Sequence, residues 1–334
     1  MKLRDNIFEF CKSDPDLITI IVPFYNEEDC IVEFCERLLK VLTNLKKDFE
    51  IICIDDGSED NSLSLLQEMH KKDDRIKIVQ LAGNYGQTAA ISAGIDMAGG
   101  DVIIPMDGDL QHLPEEIPAF LKKIEEGYDI VSGWRKKRVD NFFSRRLPSF
   151  IANRIMKYLS GVDIHDFGTT FKAYRSDVIK NIRLYGQFHR FIPVLASELK
   201  VKITEIPITN IERPRGKSKY GIKRTFTVLF DLIRLKFLTH YLSHPLQIFG
   251  SMGFFLFLFG LVVFTFLVYM KYVHHLGLMV YRPPLFITSI FIMLSGIQIF
   301  TFGLLAEMLT RIYHDNPARK IYRIRKTVGF DKQQ

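Results

Sequence analysis

Apolar positions between Leu17 and Ile206 follow two alternating patterns. Short runs rich in β-branched residues alternate with longer amphipathic stretches. This is the pattern of strands and helices that pack in layers around a largely parallel sheet. The predicted strands are 18–22, 50–55, 76–81, 102–106 and 129–132. The predicted helices are 27–42, 61–71, 86–98 and 114–126. The predicted fold class is therefore α/β with a mostly parallel central sheet.

A different pattern begins after Pro245. Charge almost disappears from 246–270 and again from 284–309, where Phe, Leu, Ile and Val dominate. Each stretch is long enough to cross a bilayer as a helix. A buried helical hairpin of a soluble protein is the alternative, but core helices of this length normally carry a polar stripe, and these stretches carry none. The sequence predicts a two-helix transmembrane hairpin.

The formal net charge of +7 is concentrated beside these apolar stretches. Basic residues are dense in 213–236 and in 311–326, whereas the loop between the stretches carries only Lys271 and Arg282. Positive charge marks both flanks as cytoplasmic and the loop as external. Basic residues placed next to a membrane attract anionic lipid heads, so we expect membrane lipids rather than nucleic acid as partners.

The predicted domains are an N-terminal α/β domain at 1–212, a basic loop and surface segment at 213–244, the hairpin at 245–310 and a basic tail at 311–334. Residues 223–241 mix basic and apolar positions at near-helical spacing, which predicts an amphipathic segment on the membrane surface. A helix packed on the soluble domain is the alternative. The charged N-terminus does not resemble a signal peptide, so we expect the large N-terminal domain to remain cytoplasmic.

The cysteines and glycines of the sequence lead to two further expectations. The cysteines Cys11, Cys30, Cys35 and Cys53 lack metal-ligand spacing, and we expect reduced thiols. Small residues in the apolar stretches permit close helix contact and therefore a homo-oligomer. They are Gly250, Gly253, Gly260, Gly296 and Gly303.

Polar residues follow three of the predicted strands. The segments are 23–28 (PFYNEE), 55–60 (DDGSED) and 107–111 (DGDLQ). In open parallel sheets, ligands bind at the carboxyl ends of the strands, so we expect one cleft. Asp107 and Asp109 can both reach one cation, and magnesium or manganese commonly uses one or two carboxylates together with substrate phosphates. A solvent-exposed turn is the alternative.

Asp55 and Asp56 carry a second candidate site. One carboxylate can accept a hydrogen bond from a base N–H and the other from ribose hydroxyls. The alternative is a helix N-cap in which Ser58 or Asp60 satisfies backbone amides before the helix from Asn61. The two interpretations are compatible.

Taken together, the three motifs resemble the signatures of inverting family-two glycosyltransferases, which have the nucleotide-sugar-binding GT-A fold. The elements 84–87 (NYGQ), 133–135 (GWR) and 213–220 (RPRGKSKY), with the paired C-terminal spans, resemble the polyprenyl-phosphate branch of that family. The resemblance covers nearly the whole chain. It implies a nucleotide-sugar donor, a polyprenyl phosphate acceptor such as undecaprenyl phosphate, and Mg2+ or Mn2+ as cofactor.

The resemblance also implies roles for particular residues. The nucleotide-sugar pocket is expected to contain Pro23, Tyr25, Glu27, Asp55, Asp56, Asp107 and Gln111. The expected metal ligands are Asp109 and Asp107. The expected catalytic residues are Asp166, Asp109 and Arg135. The expected contacts to the acceptor phosphate and the donor diphosphate are Arg213, Arg215, Lys217, Ser218, Lys219 and Tyr220.

Several of these roles have alternatives. Arg135 would otherwise be an ordinary surface arginine in the basic run 135–138. A lipid phosphate is already anionic near neutral pH, so Asp166 is expected either to act as a base or only to orient the acceptor or a basic partner. Its neighbours Asp163 and His165 are the rival choices. The basic loop would otherwise be a solvated segment attracted to lipid heads. Gly83 stands where relatives often carry arginine, which argues against a phosphate contact there.

The expected function is inverting transfer of a sugar, first of all a UDP-linked hexose, to a polyprenyl phosphate at a bacterial inner membrane. The product would serve modification of cell-envelope glycans. One rival is a processive polysaccharide synthase, but the Gln-x-x-Arg-Trp element typical of those enzymes is missing from this sequence. The other rival is a non-catalytic nucleotide-sugar-binding membrane protein, against which the intact acids and basic loop argue.

Overall fold

The computed structural model describes residues 15–136, 153–154, 156–157, 161–182, 188–197, 199, 201–209, 211, 246–274, 283–315 and 320–330. The chain divides into two compact units. The first contains residues 1–229 together with 320–334, and the second contains residues 230–319.

The described strands of the first unit form one sheet. They are β1 (Leu17–Phe24), β2 (Asp48–Asp55), β3 (Ile76–Leu81), β4 (Val102–Pro105), β5 (Ile130–Trp134), β6 (Lys172–Arg175), β7 (Ile203–Pro207) and β8 (Ile324–Val328). The helices are α1 (Ile31–Asn44), α2 (Ser62–Lys72), α3 (Gln87–Met97), α4 (Ile117–Glu125), α5 (Ser176–Lys180) and α6 (Ile192–Ser197), with 3-10 turns at Pro114–Glu116 and Phe188–Arg190.

The sheet order is β7-β5-β6-β4-β1-β2-β3-β8. Strands β1 to β4 run parallel, while β6 runs antiparallel to both β4 and β5, and β8 runs antiparallel to β3. Strand β7 is parallel to β5. All but β6 and β8 therefore point the same way, and the predicted α/β fold with a mostly parallel sheet is confirmed.

Apolar side chains bury both faces of this sheet. Helices α1, α2 and α4 cover one face, and α3, α5 and α6 cover the other. Helix α1 shows why the sequence folds this way, because its buried residues recur at helical spacing. They are Ile31, Phe34, Cys35, Leu38 and Leu42. That spacing places them on a single stripe facing the sheet.

Helix α1 begins later than predicted, at Ile31 instead of Glu27. Asn26 has a φ of 54°, a left-handed conformation that interrupts helix geometry. The amides of Asn26 and Glu27 are bound by the hydroxyls of Ser58 and Ser62, at 3.1 and 3.0 Å. Polar partners from the next loop therefore take the place of the first helical turn.

Strands β6, β7 and β8 were not predicted. Strand β8 lies in the segment interpreted from sequence as a basic tail, and it extends the sheet at β3 with Val79 opposite Thr327. Tyr322 just before it is buried, and its phenol donates a hydrogen bond to the Asp96 carboxylate of α3. The segment that follows the apolar helices in sequence therefore belongs to the sheet of the first unit.

In the second unit, the described helices are α7 (Ser251–His274), preceded by a π-helical turn at Leu246–Gly250, and α8 (Pro283–Asp315). Their segments Leu246–Val273 and Pro284–Leu309 are long and apolar enough to cross a membrane, with mean hydropathy of 2.5 and 2.0. Only 17% and 11% of the residues in their most apolar windows are buried, which disfavours the core-hairpin alternative. Both segments coincide with the predicted spans.

Glycines bring α7 and α8 into close contact. A Cβ atom on Gly253 would lie 2.6 Å from the carbonyl oxygen of Gly296, and one on Gly296 would lie 2.6 Å from the amide nitrogen of Phe257. Gly260 and Gly303 are similarly crowded by the opposite segment. These glycines therefore pack within one hairpin, and homo-oligomerisation through them stays a prediction.

Candidate active site

Strands β1 to β5 deliver their carboxyl ends to the same edge of the sheet, because they point the same way. The motifs that follow β1, β2 and β4 therefore meet there, as predicted. The amide of Asp56 donates to the carbonyl of Phe24 at 2.9 Å, and the amide of Met106 donates to the carbonyl of Ile21 at 3.0 Å. The loops that carry the acids are thus tied to neighbouring strands.

Asp55, the last residue of β2, is buried at 1% exposure. Its Oδ1 accepts a hydrogen bond from the amide of Ser58 at 3.1 Å. Its Oδ2 is buried and has no hydrogen-bond partner within the described part of the chain. Burial raises the pKa of this carboxyl, against the hydrogen bonds from Ser58. A buried acceptor of this kind is costly unless a ligand satisfies it.

Asp56 binds the start of helix α3 with both oxygens. Oδ1 accepts from the amide of Tyr85 and Oδ2 from the amide of Gly86, each at 2.8 Å. Burial raises the pKa of Asp56, while these two amides oppose the shift. Its carboxylate therefore holds the 83–86 loop against the 55–58 loop. An oxygen retains further lone-pair capacity, so the expected ribose contact stays a prediction.

The 55–58 and 83–86 loops are packed tightly. Gly57 has a φ of +73°, and a Cβ atom there would lie 2.6 Å from the carbonyl carbon of Gly83. Only glycine fits such a position without a shift of backbone. A Cβ atom on Gly83 itself would meet no atom within 4 Å, so the close approach of the two backbones requires glycine at position 57 and does not account for the absence of arginine at position 83.

The other residues predicted for the nucleotide pocket are half-buried. Pro23 lies on β1 opposite Ile54, and Tyr25 and Glu27 follow in the loop that is bound to the 58–62 segment. Gln111 is also half-buried, and its backbone N–H donates to Asp109 Oδ1 at 3.2 Å. Their contacts with a nucleotide stay predictions.

Asp107 and Asp109 follow β4 and are both half-buried. Asp107 Oδ1 accepts from Gln87 Nε2 at 2.6 Å. Burial raises the pKa of Asp107, whereas hydrogen bonds from Thr170 and Gln87 and the charge of Arg135 favour its ionised form. Gly108 between the two acids is required, because a Cβ atom there would lie 2.3 Å from the ring of Phe24.

Across the residues that the structure describes, no group of three or more histidine, cysteine or carboxylate side chains is arranged to hold a metal. Two carboxylates separated by one glycine nevertheless fit a hard divalent cation, which commonly completes its coordination with water and substrate phosphates. Asp107 and Asp109 would hold such an ion, and its charge would offset the cost of burying Asp107.

Arg135 and Asp166 form a bidentate ion pair at this edge. Nε lies 2.7 Å from Oδ2 and Nη2 lies 2.9 Å from Oδ1. The side chains are 16% and 4% exposed, so the pair is largely removed from solvent. The backbone amide of Gly168 donates a third hydrogen bond to this carboxylate, to Oδ1 at 3.0 Å. Arg135 is therefore not the ordinary surface arginine of the alternative interpretation.

The rival choices for Asp166 have other partners. Asp163 is exposed and pairs with Lys157. His165 stacks on Trp134 with ring centroids 4.5 Å apart, and both its amide and Nδ1 engage the carboxylate of Glu205. Of these acids, Asp166 is the one paired with Arg135.

Sequence analysis missed several charged or titratable groups at this edge. Lys172 is fully buried, and burial lowers its pKa to about 7. His112 is 3% exposed, and burial together with Arg135 lowers its pKa to about 4, so its ring is neutral at neutral pH. Arg190 favours the ionised form of Asp107. His112 directly follows the DGDLQ motif, and this position could have indicated from sequence that it lies near the site. Lys172 and Arg190 come close to the site only through the fold.

The basic loop expected to bind the acceptor phosphate and donor diphosphate lies outside the described residues. It comprises Arg213, Arg215, Lys217, Ser218, Lys219 and Tyr220. The predicted surface segment 223–241 also lies outside them.

Residues 19–183 match the model of glycosyl transferase family 2. The chain belongs to this family, and the family match together with the sheet topology confirms the predicted nucleotide-sugar-binding GT-A fold. The chain is an enzyme of the glycosyltransferase class.

Relatives narrow the class to polyprenyl-phosphate glycosyltransferases. The chain is 37% identical to the dodecaprenyl-phosphate galacturonate synthase of Rhizobium johnstonii over 95% of its own length and 94% of the relative's. It is 34% identical to the undecaprenyl-phosphate 4-deoxy-4-formamido-L-arabinose transferase of Proteus mirabilis, over 94% and 95% of the two chains. The transferase of the same name from Shewanella sediminis is 37% identical over 92% and 91%.

Among solved structures, the chain is similar to glucosyl-3-phosphoglycerate synthase from Mycobacterium tuberculosis. One structure of that enzyme has a TM-score of 0.49 and 14% identity, covering 66% of this chain and 79% of the other. Another has a TM-score of 0.49 and 16% identity, covering 65% and 78%. Similarity of this degree carries no information on ligands.

Proposed function

We propose that this enzyme transfers a sugar from a uridine diphosphate sugar to undecaprenyl phosphate or a polyprenyl phosphate of similar length, with inversion at the anomeric carbon. The observation that carries the proposal is the meeting of three elements at one sheet edge. They are the buried oxygen of Asp55, the paired acids Asp107 and Asp109, and the Arg135–Asp166 ion pair. The acceptor class is supported by the names of relatives that match almost the whole chain.

Donor recognition is proposed to begin at Asp55. Uracil presents an N–H donor that can bond to Oδ2 of Asp55, an acceptor without a hydrogen-bond partner among the residues that the structure describes. Asp56 anchors the loop of Tyr85 and Gly86 that borders the same pocket, and its remaining lone pairs suit ribose hydroxyls. Pro23, Tyr25 and Glu27 are proposed to complete the wall of this nucleotide pocket.

The chemical step is a single in-line displacement. A phosphate oxygen of the acceptor forms a bond to the anomeric carbon, while the bond from that carbon to the diphosphate breaks and its electron pair leaves with the nucleotide. The attacking oxygen is already anionic, so the step needs no base. A divalent cation bound at Asp107 and Asp109 would neutralise charge on the departing diphosphate.

Arg135 is proposed to stabilise phosphate charge at this point. A guanidinium held in fixed orientation is well suited to phosphate oxygens, and Asp166 fixes that orientation through two hydrogen bonds. A preorganised cation at a partly dehydrated site stabilises developing charge more than one that must reorient. In this proposal, Asp166 acts by orienting Arg135.

The apolar hairpin is proposed to anchor the enzyme in a bacterial inner membrane. Basic residues before its first helix and after its second support an orientation with the catalytic domain in the cytoplasm. Such an anchor keeps the enzyme at the surface where the lipid acceptor is found. The basic residues 213–220 are proposed to close over the two phosphate groups, a role supported by their composition.

The donor sugar can be identified by a direct assay. The purified full chain would be incubated with Mn2+ or Mg2+, undecaprenyl phosphate and one nucleotide sugar at a time, including UDP-hexoses, UDP-hexuronic acids and UDP-aminopentoses. Mass spectrometry of the lipid fraction is expected to find one sugar joined to one lipid phosphate. A lipid that carries a chain of several sugars would favour a processive synthase. Nucleotide binding without any product would favour a non-catalytic binding protein.

The stereochemical outcome is a separate test of the mechanism. NMR of the lipid product is expected to give an anomeric configuration opposite to that of the donor. Retention of configuration would contradict a single displacement.

A further inference from the structure

Lys172 is a fully buried cation at this sheet edge, and the proposed reaction assigns it no role. It opens strand β6, opposite Ser132 of β5, and its side chain has 0% exposure. Removing an ammonium group from water costs several kcal/mol unless partners compensate. Its immediate neighbours in the strand, Ala173 and Tyr174, are buried without this cost. A buried lysine at such a position calls for a specific set of partners.

Those partners are backbone carbonyls of one short loop. Nζ donates to the carbonyl oxygen of Phe167 at 3.2 Å and also to that of Thr169. We call residues 166–171 the Asp166 loop. Two of the three N–H donors of an ammonium group are thereby used on this loop. The loop is folded around the lysine head group.

Two side chains of the same loop, those of Asp166 and Thr170, face the candidate active site. At one end, Asp166 holds Arg135 in the bidentate pair. Near the other end, the hydroxyl of Thr170 lies 3.4 Å from Gln87 Nε2 and supports the ionised form of Asp107. The loop thus joins the proposed phosphate-binding arginine to the proposed metal-binding acid.

The electrostatic surroundings of Lys172 agree with this geometry. Burial lowers its pKa to about 7, and Arg135 and Arg190 act in the same direction. The charges of Asp166 and Asp107 oppose the shift. The groups that influence Lys172 most are therefore the groups of the candidate active site.

We propose that Lys172 is a positioning residue, which binds the carbonyls of Phe167 and Thr169 and thereby fixes the Asp166 loop in the shape needed for transfer. It acts through Asp166 and Thr170 and does not itself touch the substrate. This inference rests on the proposed function for its catalytic consequence, but its structural consequence can be measured without turnover.

The first experiment measures the loop alone, by amide hydrogen exchange of the full chain in detergent. In Lys172→Met, peptides that cover the Asp166 loop are expected to exchange about tenfold faster. Peptides that cover 54–60 and 84–90 are expected to keep their wild-type rates. Lys180→Met is the matched control, because Lys180 also donates to a backbone carbonyl, that of Ala98 at 2.7 Å, away from this loop. In Lys180→Met, the hydrogen-exchange rates of the Asp166 loop are expected to equal those of wild type.

The second experiment separates positioning from folding. Calorimetry of UDP binding in the presence of Mn2+ gives the number of folded nucleotide-binding sites. Turnover is then expressed per bound nucleotide. For Lys172→Met, turnover per site is expected to fall about tenfold or more, with the dissociation constant of UDP within about twofold of wild type. Lys172→Gln keeps an NH2 group with two N–H donors but loses the charge, and its turnover is expected to lie between those of wild type and Lys172→Met. It serves as the test variant if the methionine chain does not fold.

Unchanged loop exchange in the folded variants would overturn the proposal. So would unchanged turnover per nucleotide-binding site, because that result would mean that Lys172 contributes only to stability. If the wild-type chain transferred no sugar to any lipid phosphate, the proposed function would fail, while hydrogen exchange would still decide whether Lys172 fixes the loop.

Discussion

Asp166 accepts two hydrogen bonds from the guanidinium of Arg135, at 2.7 and 2.9 Å, in a pair that is largely buried. A carboxylate engaged in this way is poorly placed to remove a proton from an acceptor. It is well placed to fix the direction of the guanidinium, whose charge also favours the ionised form of Asp107. Asp166 therefore serves to orient the guanidinium of Arg135. Removing either partner leaves the other without its compensating charge.

Asp166→Asn tests this orienting role. The amide can accept one of the two hydrogen bonds but turns its NH2 group toward the guanidinium, so we expect turnover to fall by about 10- to 100-fold. UDP affinity is expected to change little. Asp163→Asn is the control, because Asp163 is an exposed neighbour paired with Lys157, and its effect should stay within about twofold. Full turnover by Asp166→Asn would argue against this orienting role.

Asp55→Asn tests recognition of the base. In wild type, an unsatisfied carboxylate oxygen should favour uracil, which donates at N3, over cytosine, which accepts there. Asparagine keeps the Oδ1 contact with Ser58 but can present a donor in place of Oδ2. We expect the affinity for UDP to fall about tenfold or more and the preference over CDP to shrink. Calorimetry with both nucleotides measures this, and an unchanged preference would exclude Asp55 from base recognition.

Asp109→Asn tests the metal site. Replacing one of two anionic ligands weakens the hold on a divalent cation, so the Mn2+ concentration for half-maximal turnover is expected to rise about tenfold. EDTA is expected to abolish wild-type turnover, and Mn2+ or Mg2+ to restore it. Asp48→Asn, an exposed acid at the start of β2 and thus at the opposite edge, should leave the metal dependence unchanged. Full turnover in EDTA would contradict a metal-dependent step.

The parallel part of the sheet could be predicted from sequence, because β1, β2 and β4 contain continuous apolar runs that lead into polar motifs, while the apolar residues of β3 are interrupted only by Lys77 and Gln80. The same logic placed Asp55, Asp56, Asp107 and Asp109 at one edge. Each of these residues lies at the carboxyl end of a strand or within a few residues of it, so local pattern and parallel topology are sufficient.

The remainder of the site could not be predicted in the same way. Strand β6 is short and enters antiparallel, and its first residue is a lysine, which hydrophobic patterning assigns to the surface. Burial of Lys172 depends on two carbonyls supplied by a turn of the preceding loop. Strand β8 carries Arg325 and Lys326 at its centre and is separated from its neighbour β3 by most of the chain. Its pairing is a long-range relationship that local pattern does not encode.

His112 predicts a particular dependence of stability on pH. The pKa of its ring is about 4 in the folded chain, against an ordinary value of 6.5. Between these values the unfolded chain binds a proton that the folded chain does not, so the free energy of unfolding decreases as the pH falls from 6.5 to 4. This difference in pKa corresponds to at most about 3.5 kcal/mol of unfolding free energy.

His112→Gln removes this titration and should flatten the acid side of the curve. The measurement is thermal unfolding of the full chain in detergent between pH 7 and 4.5, followed by the fluorescence of Trp134. The burial that raises the pKa of Asp55 and Asp56 acts in the opposite direction in both proteins, so the informative quantity is the difference between variant and wild type. Parallel curves would show that His112 is not buried in its neutral form.

Tyr322 tests whether the C-terminal strand supports the nucleotide pocket. Its ring is buried at 6% exposure, and the amide of Ala82 donates to the carbonyl of Arg323 at 2.8 Å just before the loop that Asp56 anchors. Tyr322→Phe loses only the hydrogen bond to Asp96 and should cost about 1 kcal/mol. Tyr322→Ala also empties the ring's place in the core and should cost about 3–5 kcal/mol.

If β8 holds that loop in place, Tyr322→Ala should weaken UDP binding per folded molecule as well as lower the melting temperature, whereas Tyr322→Phe should lower only the melting temperature. Lys320→Met is the control for charge, because its ion pair with Asp96 at 3.4 Å is exposed and contributes little. Normal UDP affinity in folded Tyr322→Ala would mean that β8 stabilises the sheet without shaping the pocket. Weakened affinity would instead make the segment that follows the membrane helices in sequence a working part of the donor site.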